Sequence, residues 1–171
     1  MSAVLIVDDD KATREGLALA LRGAHTVHTA ADAEAALAIL TANAVDLVLT
    51  DLRMPGRDGL SLLRDIVTNH PGLPVILLSA YGSVESAVAA MREGAYDFLT
   101  KPVNLDHLEL VVRRALRQKT LERQNATLRT QLAGQSALDR LIGSSEAMLR
   151  VRERIAQAAP TPATVLIQGP S

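Results

Sequence analysis

The stretch from Val45 to Leu60, V-D-L-V-L-T-D-L-R-M-P-G-R-D-G-L, constrains this chain more than any other. An apolar run, Leu47-Val48-Leu49, delivers a single carboxylate, Asp51, to the point where the run stops, and Met54-Pro55-Gly56 then turns the chain sharply. Asp51 is read as a phosphate acceptor held at the end of a buried strand. The other segments have to supply its surroundings.

Ala3 to Val7 (A-V-L-I-V) is a continuous apolar run rich in β-branched residues. It is too short for a helix, as expected for a strand buried on both faces of a parallel sheet. Asp8-Asp9-Asp10 follow directly, and Asp10 is placed to cap a helix over Lys11–Leu21, whose Leu17, Ala18, Ala20 and Leu21 fit helical spacing. Further short strands are predicted at Thr26–Thr29, Asp46–Thr50, Pro74–Leu78 and Tyr96–Leu99. Helices are predicted at Asp32–Ala42, Gly59–Val67 and Ser83–Glu93, the last capped by Ser83, and again from Leu105. Strands and helices that alternate in this way predict an α/β domain with a parallel sheet, because parallel neighbours need helical crossovers. In such open sheets functional groups gather beyond the carboxyl ends of the strands, near the switch in strand order. That rule selects Asp8 and Asp9 after the first strand, Asp51 after the third, Ser79 after the fourth and Lys101 after the fifth, all on one edge.

Three carboxylates brought together repel one another unless a cation sits among them. A hard divalent ion answers this, and magnesium suits two carboxylates, a carbonyl and a phosphate oxygen because it favours oxygen ligands and keeps several waters. An Asp carboxylate can form an acyl phosphate, and catalysis of phosphoryl transfer is mostly positioning and charge neutralisation. Lys101 would pair with one phosphate oxygen and Ser79 would hydrogen-bond another. The lysine is informative because the chain has only Lys11, Lys101 and Lys119 among 18 lysines and arginines.

Composition bounds the alternatives. A chain of 171 residues, 48% hydrophobic and 22% charged, has room for one full core and an unfinished second unit. A net charge of −1 gives no global attraction to nucleic acid or anionic membrane. With no cysteine there is neither a disulfide framework nor a thiolate metal site, and three aspartates directly after the first apolar run exclude a signal peptide or a membrane span there. A cytoplasmic protein with no membrane partner is the expectation. His25, His28, His70 and His107 lack metal-ligand spacing, Gly56 and Gly59 permit the turn, and Asp58 is expected to cap a helix.

Together, D-D after the first strand, D-L-R-M-P-G-x-D-G-L after the third, S-A-Y-G after the fourth and Phe98-Leu99-Thr100-Lys101-Pro102 after the fifth resemble the receiver domain of bacterial two-component response regulators. The resemblance implies a flavodoxin-like, doubly wound sheet with strand order 2-1-3-4-5. It implies that Asp51 is phosphorylated by a cognate sensor histidine kinase and that Asp9, Asp51 and the Arg53 backbone carbonyl hold Mg2+, with Asp8 assisting through water. Ser79 stands where the family has Thr or Ser, and Phe98 where it has an aromatic switch residue, usually Tyr. Because Phe lacks the hydroxyl, a switch here has to work by ring burial. Arg53 and Tyr81 lie where the family tunes phosphate lifetime. Lys101-Pro102 is the candidate for the cis peptide often found there, prolyl bonds being where the cis form costs little.

Haloacid-dehalogenase-type phosphatases also combine an Asp nucleophile, Ser or Thr, Lys and magnesium. Their nucleophile ends the first strand in D-x-D-x-T/V, whereas Asp8-Asp9-Asp10-Lys11-Ala12 has Ala12 at the last place, and no acidic pair follows Lys101. That reading would also leave Asp51 unexplained.

Beyond the receiver, expected over residues 1–117, Leu105, Leu108, Val112 and Ala115 form a final amphipathic helix with no glycine or proline before Gly134. Gln118, Leu121, Asn125, Leu128 and Leu132 continue it as a short heptad seam, in which a buried Asn can fix register and partner number. A coiled-coil linker over 118–135 and a parallel homodimer are predicted, the alternative being a linker helix draped on the receiver. Arg113, Arg114, Arg117, Lys119, Arg123 and Arg129 are read as a solvated face or a contact with acids of a neighbouring domain rather than as a nucleic-acid contact, since aromatics and a recognition motif are both missing. Gly134-Gln135-Ser136 is expected to break the helix.

Leu141 to Ser171 resembles the opening of the AAA+ domain of sigma-54-dependent transcription activators: G-S-S, a helix, Ala-Pro-Thr, then a strand Thr164–Ile167 entering Gly169. The resemblance implies that 136–171 is the truncated start of that domain. The loop lysine of G-x-x-x-x-G-K-[ST] is not reached, so no ATP binding is expected from these residues. The parent would contact DNA and sigma-54 RNA polymerase elsewhere in its length. A receiver acting as a protein-docking adaptor is the alternative of a different class.

Overall fold

The computed structural model describes residues 2–80, 84–139, 143, 145–160 and 166, with the backbone alone for 131–139. Five short strands, β1 (Ala3–Val7), β2 (Thr26–Ala30), β3 (Leu47–Asp51), β4 (Val75–Ser79) and β5 (Asp97–Thr100), alternate with helices α1 (Lys11–Leu21), α2 (Ala33–Ala42), α3 (Gly59–Asn69), α4 (Val84–Arg92) and α5 (Leu105–Asp139). A sixth helix, α6 (Glu146–Ala158), follows. All pairings are parallel and the order is β2-β1-β3-β4-β5, as the resemblance implied.

The continuous apolar runs become the three inner strands because both faces of the sheet are covered. Leu5, Val48, Val75 and Leu77 point into one core layer with Leu40 of α2, Leu62, Leu63 and Ile66 of α3 and Ala90 of α4. Val4, Ile6, Leu47, Leu49, Ile76 and Leu78 point the other way, against Leu17 and Leu21 of α1 and Leu108, Val111, Val112 and Ala115 of α5. Each such side chain contributes about 1.5–3 kcal/mol relative to exposure, so strand register is strongly specified: a one-residue slip would exchange the two layers.

Helix starts follow the local chemistry. Asp10, Asp32 and Asp58 each accept from an amide three residues on, at Thr13, Ala35 and Ser61, satisfying donors the helix cannot. Ser83, expected to cap α4, lies outside the described residues. The expected break at Gly134-Gln135-Ser136 does not occur, since α5 continues to Asp139. A helical glycine costs only about 1 kcal/mol relative to alanine, and Gly134 keeps a negative φ, so the helix passes through it. Leu105 is also not a core residue. At the first position of α5 it is 53% exposed, and Val111 fills the layer instead.

The chain divides into two compact units, Met1–Glu122 and Arg123–Ser171. In the second, α6 is capped by Ser145 and buries none of its residues. The expected strand Thr164–Ile167 and Gly169 fall outside the described residues, apart from Leu166, which is exposed.

Candidate functional site

The strand ends bring the expected residues to one edge. Asp51 is the last residue of β3 and Ser79 the last of β4, while Asp8 and Asp9 follow β1 and Lys101 follows β5. Carboxylate oxygens of Asp8, Asp9 and Asp51 lie within 4.8 Å of one another. Asp8 is wholly buried, Asp51 keeps 12% of its side chain exposed, and Asp9 is exposed.

Lys101 closes the cluster. Its Nζ donates to Asp8 Oδ2 at 2.7 Å and to Asp51 Oδ2 at 2.5 Å, with its side chain 17% exposed. Burial alone pushes this ammonium down, but the hydrogen bonds it donates to Asp51 and Asp8 and their negative charge outweigh it, so its pKa lies above the ordinary lysine value. The Lys101 amide donates to the Ser79 carbonyl at 2.7 Å, and the Lys101-Pro102 peptide is cis, as the resemblance suggested. The Arg53 amide donates to Asp51 Oδ1 at 3.1 Å, so the turn after β3 orients the carboxylate. Ser79 is buried beside it at 2% exposure.

Two glycines shape that turn. Gly56 has φ +79°, which L side chains rarely adopt. Gly59 is needed for space: a β-carbon there would stand 2.1 Å from the Asp51 carbonyl oxygen. The sequence reading assigned Gly59 only to the turn and missed this close approach.

Phe98 is half-buried, one face on the core and the rest lining an open apolar groove with Val84, Ala87, Val88 and Met91 of α4. Tyr81 lies outside the described residues. A residue the sequence reading missed is Arg14, whose Nη1 donates to the Asp8 carbonyl. Only its place one turn into α1, on the side of Asp10, could have signalled it.

Three carboxylates against one ammonium leave an excess of negative charge, and their oxygens form the hard donor set that Mg2+ prefers, so the residues fit that ion. The phosphatase alternative fits poorly. Its nucleophile would be Asp8, whose carboxylate is inaccessible and engaged on both oxygens, by the Asp10 amide and by Lys101.

The acidic pocket lies beyond the carboxyl ends of β1 and β3, at the switch point of a 2-1-3-4-5 sheet, where open α/β sheets place their functional groups. Residues 4–113 match the response regulator receiver domain, and the chain belongs to that family. It is 39% identical over 168 residues to the C4-dicarboxylate transport transcriptional regulatory protein DctD of Rhizobium meliloti, with 98% of this chain and 36% of that protein covered. Against DctD of Pseudomonas aeruginosa it is 45% identical over 172 residues, covering 97% and 36%. Among solved structures, NtrX from Brucella abortus superposes with a TM-score of 0.71 at 40% identity, covering 94% of this chain and 35% of that one. A receiver domain protein from Clostridium thermocellum gives 0.67 at 32% identity, covering 71% and 98%. The regulators it matches are of the sigma-54-dependent kind, and the chain spans about a third of the length of these curated relatives.

Proposed function

We propose that this chain is the phosphoacceptor part of a two-component transcriptional activator, with Asp51 receiving the phosphoryl group from a cognate sensor histidine kinase. The single observation that carries the reading is the convergence of Asp8, Asp9, Asp51 and Lys101 at one sheet edge, with Asp51 the carboxylate that is both oriented and reachable. An Asp51 carboxylate oxygen attacks phosphorus as the P–N bond to the kinase's phosphohistidine breaks and its imidazole leaves, and Asp51 holds the group as an acyl phosphate. Asp9, Asp51 and the Arg53 carbonyl hold Mg2+, and Asp8 assists. The bound ion supplies charge neutralisation for the incoming phosphate. Lys101, already a bridge between Asp8 and Asp51, pairs with one phosphoryl oxygen, and the Ser79 hydroxyl donates to another.

The message leaves through Phe98 and the linker. Phe98 moves between the core and the groove it lines, by ring burial alone. To carry a two-state equilibrium from 1:99 to 99:1, phosphate must favour one state by about 5.5 kcal/mol. Residues 1–117 are the receiver, 118–135 a coiled-coil linker and 136–171 the opening of an AAA+ domain. Leu121 and Leu128 are 55% and 58% exposed on one side of α5, the surface a parallel homodimer would cover. Lys119 departs from the solvated basic face, donating to the Val45 carbonyl and to Asp46 Oδ1, each at 3.1 Å. The parent protein contacts DNA and sigma-54 RNA polymerase through other parts of its length. No helix among the described residues is long and apolar enough to cross a membrane.

Sedimentation of the chain with Mg2+ and beryllofluoride, a phosphoryl mimic, tests this reading. A shift in oligomeric state that is lost in Asp51→Ala and in Leu128→Asp is expected. A monomer under every condition would sink the dimer, and a shift that persists in Asp51→Ala would sink the phosphoacceptor.

A further inference from the structure

Asp8 uses every polar atom it has. Its amide donates to the Ala30 carbonyl at 3.2 Å, Oδ1 accepts from the Asp10 amide at 2.9 Å, and Oδ2 accepts from Lys101 at 2.7 Å. Its carbonyl oxygen accepts from Arg14 Nη1. Arg14 sits in the first turn of α1, where its amide donates to the Asp10 carbonyl at 3.0 Å. Its half-buried side chain folds back over the β1–α1 turn, next to Thr13, whose amide and hydroxyl both bond the Asp10 carboxylate, at 2.9 and 2.5 Å. The turn is therefore tied at Asp8 and Asp10.

Asp9, between them, is different. It is exposed, and among the described residues no group hydrogen-bonds its carboxylate. Its direction is consequently set by its own backbone. The peptide that joins Asp8 to Asp9 is the one whose oxygen Arg14 holds. Electrostatics act in the opposite sense, since a guanidinium held on the backbone of the turn that carries Asp8 and Asp9 disfavours a second cation nearby.

We propose that Arg14 is a positioning residue for Asp9: by fixing the Asp8–Asp9 peptide it holds the Asp9 carboxylate toward the divalent ion, and this geometric effect exceeds the repulsion of its charge. Partners that orient metal ligands without touching the metal are worth about 10–100-fold in affinity. The inference rests on the reading of the pocket as a divalent-cation site.

Calorimetric titration of the whole chain with Mg2+ tests it, using Arg14→Met, Arg14→Lys and Asp9→Asn, with far-ultraviolet circular dichroism to verify folding. Arg14→Met is expected to weaken Mg2+ about tenfold although it removes a positive charge. Arg14→Lys, whose ammonium can still donate to the carbonyl, is expected to recover most of that loss, which neither a simple charge effect nor general destabilisation would produce. Arg14→Gln, neutral and too short to reach, serves as the second test should the Met variant not fold. Unchanged or tighter Mg2+ binding in the neutral variants overturns the role of Arg14 while leaving the cation site intact. No Mg2+ binding by the unsubstituted chain overturns the cation reading and this inference with it.

Discussion

The Asp51 carbonyl oxygen lies 2.1 Å from where a β-carbon on Gly59 would stand, so the start of α3 is docked directly on the backbone that carries the Asp51 carboxylate. The contact is backbone against backbone and has no flexible neighbour to give way. The Gly59 amide adds a hydrogen bond to the Leu52 carbonyl at 3.0 Å. Gly59→Ala is expected to destabilise the domain by about 1–3 kcal/mol, the range for forcing extra volume into a packed site. Urea unfolding checks this, the expected result being a lower midpoint at unchanged slope.

Lys101 links stability to alkaline pH. Its folded pKa is raised, so its stabilising contribution is fully present below the unfolded value of about 10.4 and is lost as pH rises through the higher folded value. Urea unfolding between about pH 8 and pH 12 is expected to show a loss of stability above about 10.4 that is smaller in Lys101→Met. Equal losses in the two proteins would show that the ammonium gains nothing from Asp8 and Asp51.

Phe98 is the only phenylalanine in the chain, so its ring is a single reporter. Ring proton resonances are expected to shift when Mg2+ and beryllofluoride are added, and to stay fixed in Asp51→Ala. The same additions to Phe98→Leu should still perturb amides near Asp51 while leaving those of α4 less changed. Full transmission to α4 in that variant would remove the ring from the path.

Much of this domain is legible in the sequence because its requirements are periodic or local. Leu47-Val48-Leu49 and Val75 to Leu78 are unbroken apolar runs, and only a sheet covered on both faces accommodates them. Asp10, Asp32 and Asp58 announce helix starts through a three-residue interaction. The acidic cluster follows from knowing which ends of the strands coincide. Other features depend on distances between remote segments. Nothing near Gly59 says that its α-carbon meets the Asp51 carbonyl, and nothing near Lys119 says that it reaches Val45 and Asp46. Gly134 was misread for a different reason: a glycine weakens a helix by an amount that the residues on either side can offset.

The central claim is that Asp51, among the carboxylates gathered at this edge, takes the phosphoryl group. Incubating the chain with acetyl phosphate and Mg2+ and mapping the product by mass spectrometry tests it most directly. One phosphoryl group is expected, on the peptide containing Asp51, absent without Mg2+ and absent in Asp51→Asn. Phosphorylation retained in Asp51→Asn, or continuous release of phosphate by that variant, would contradict the account.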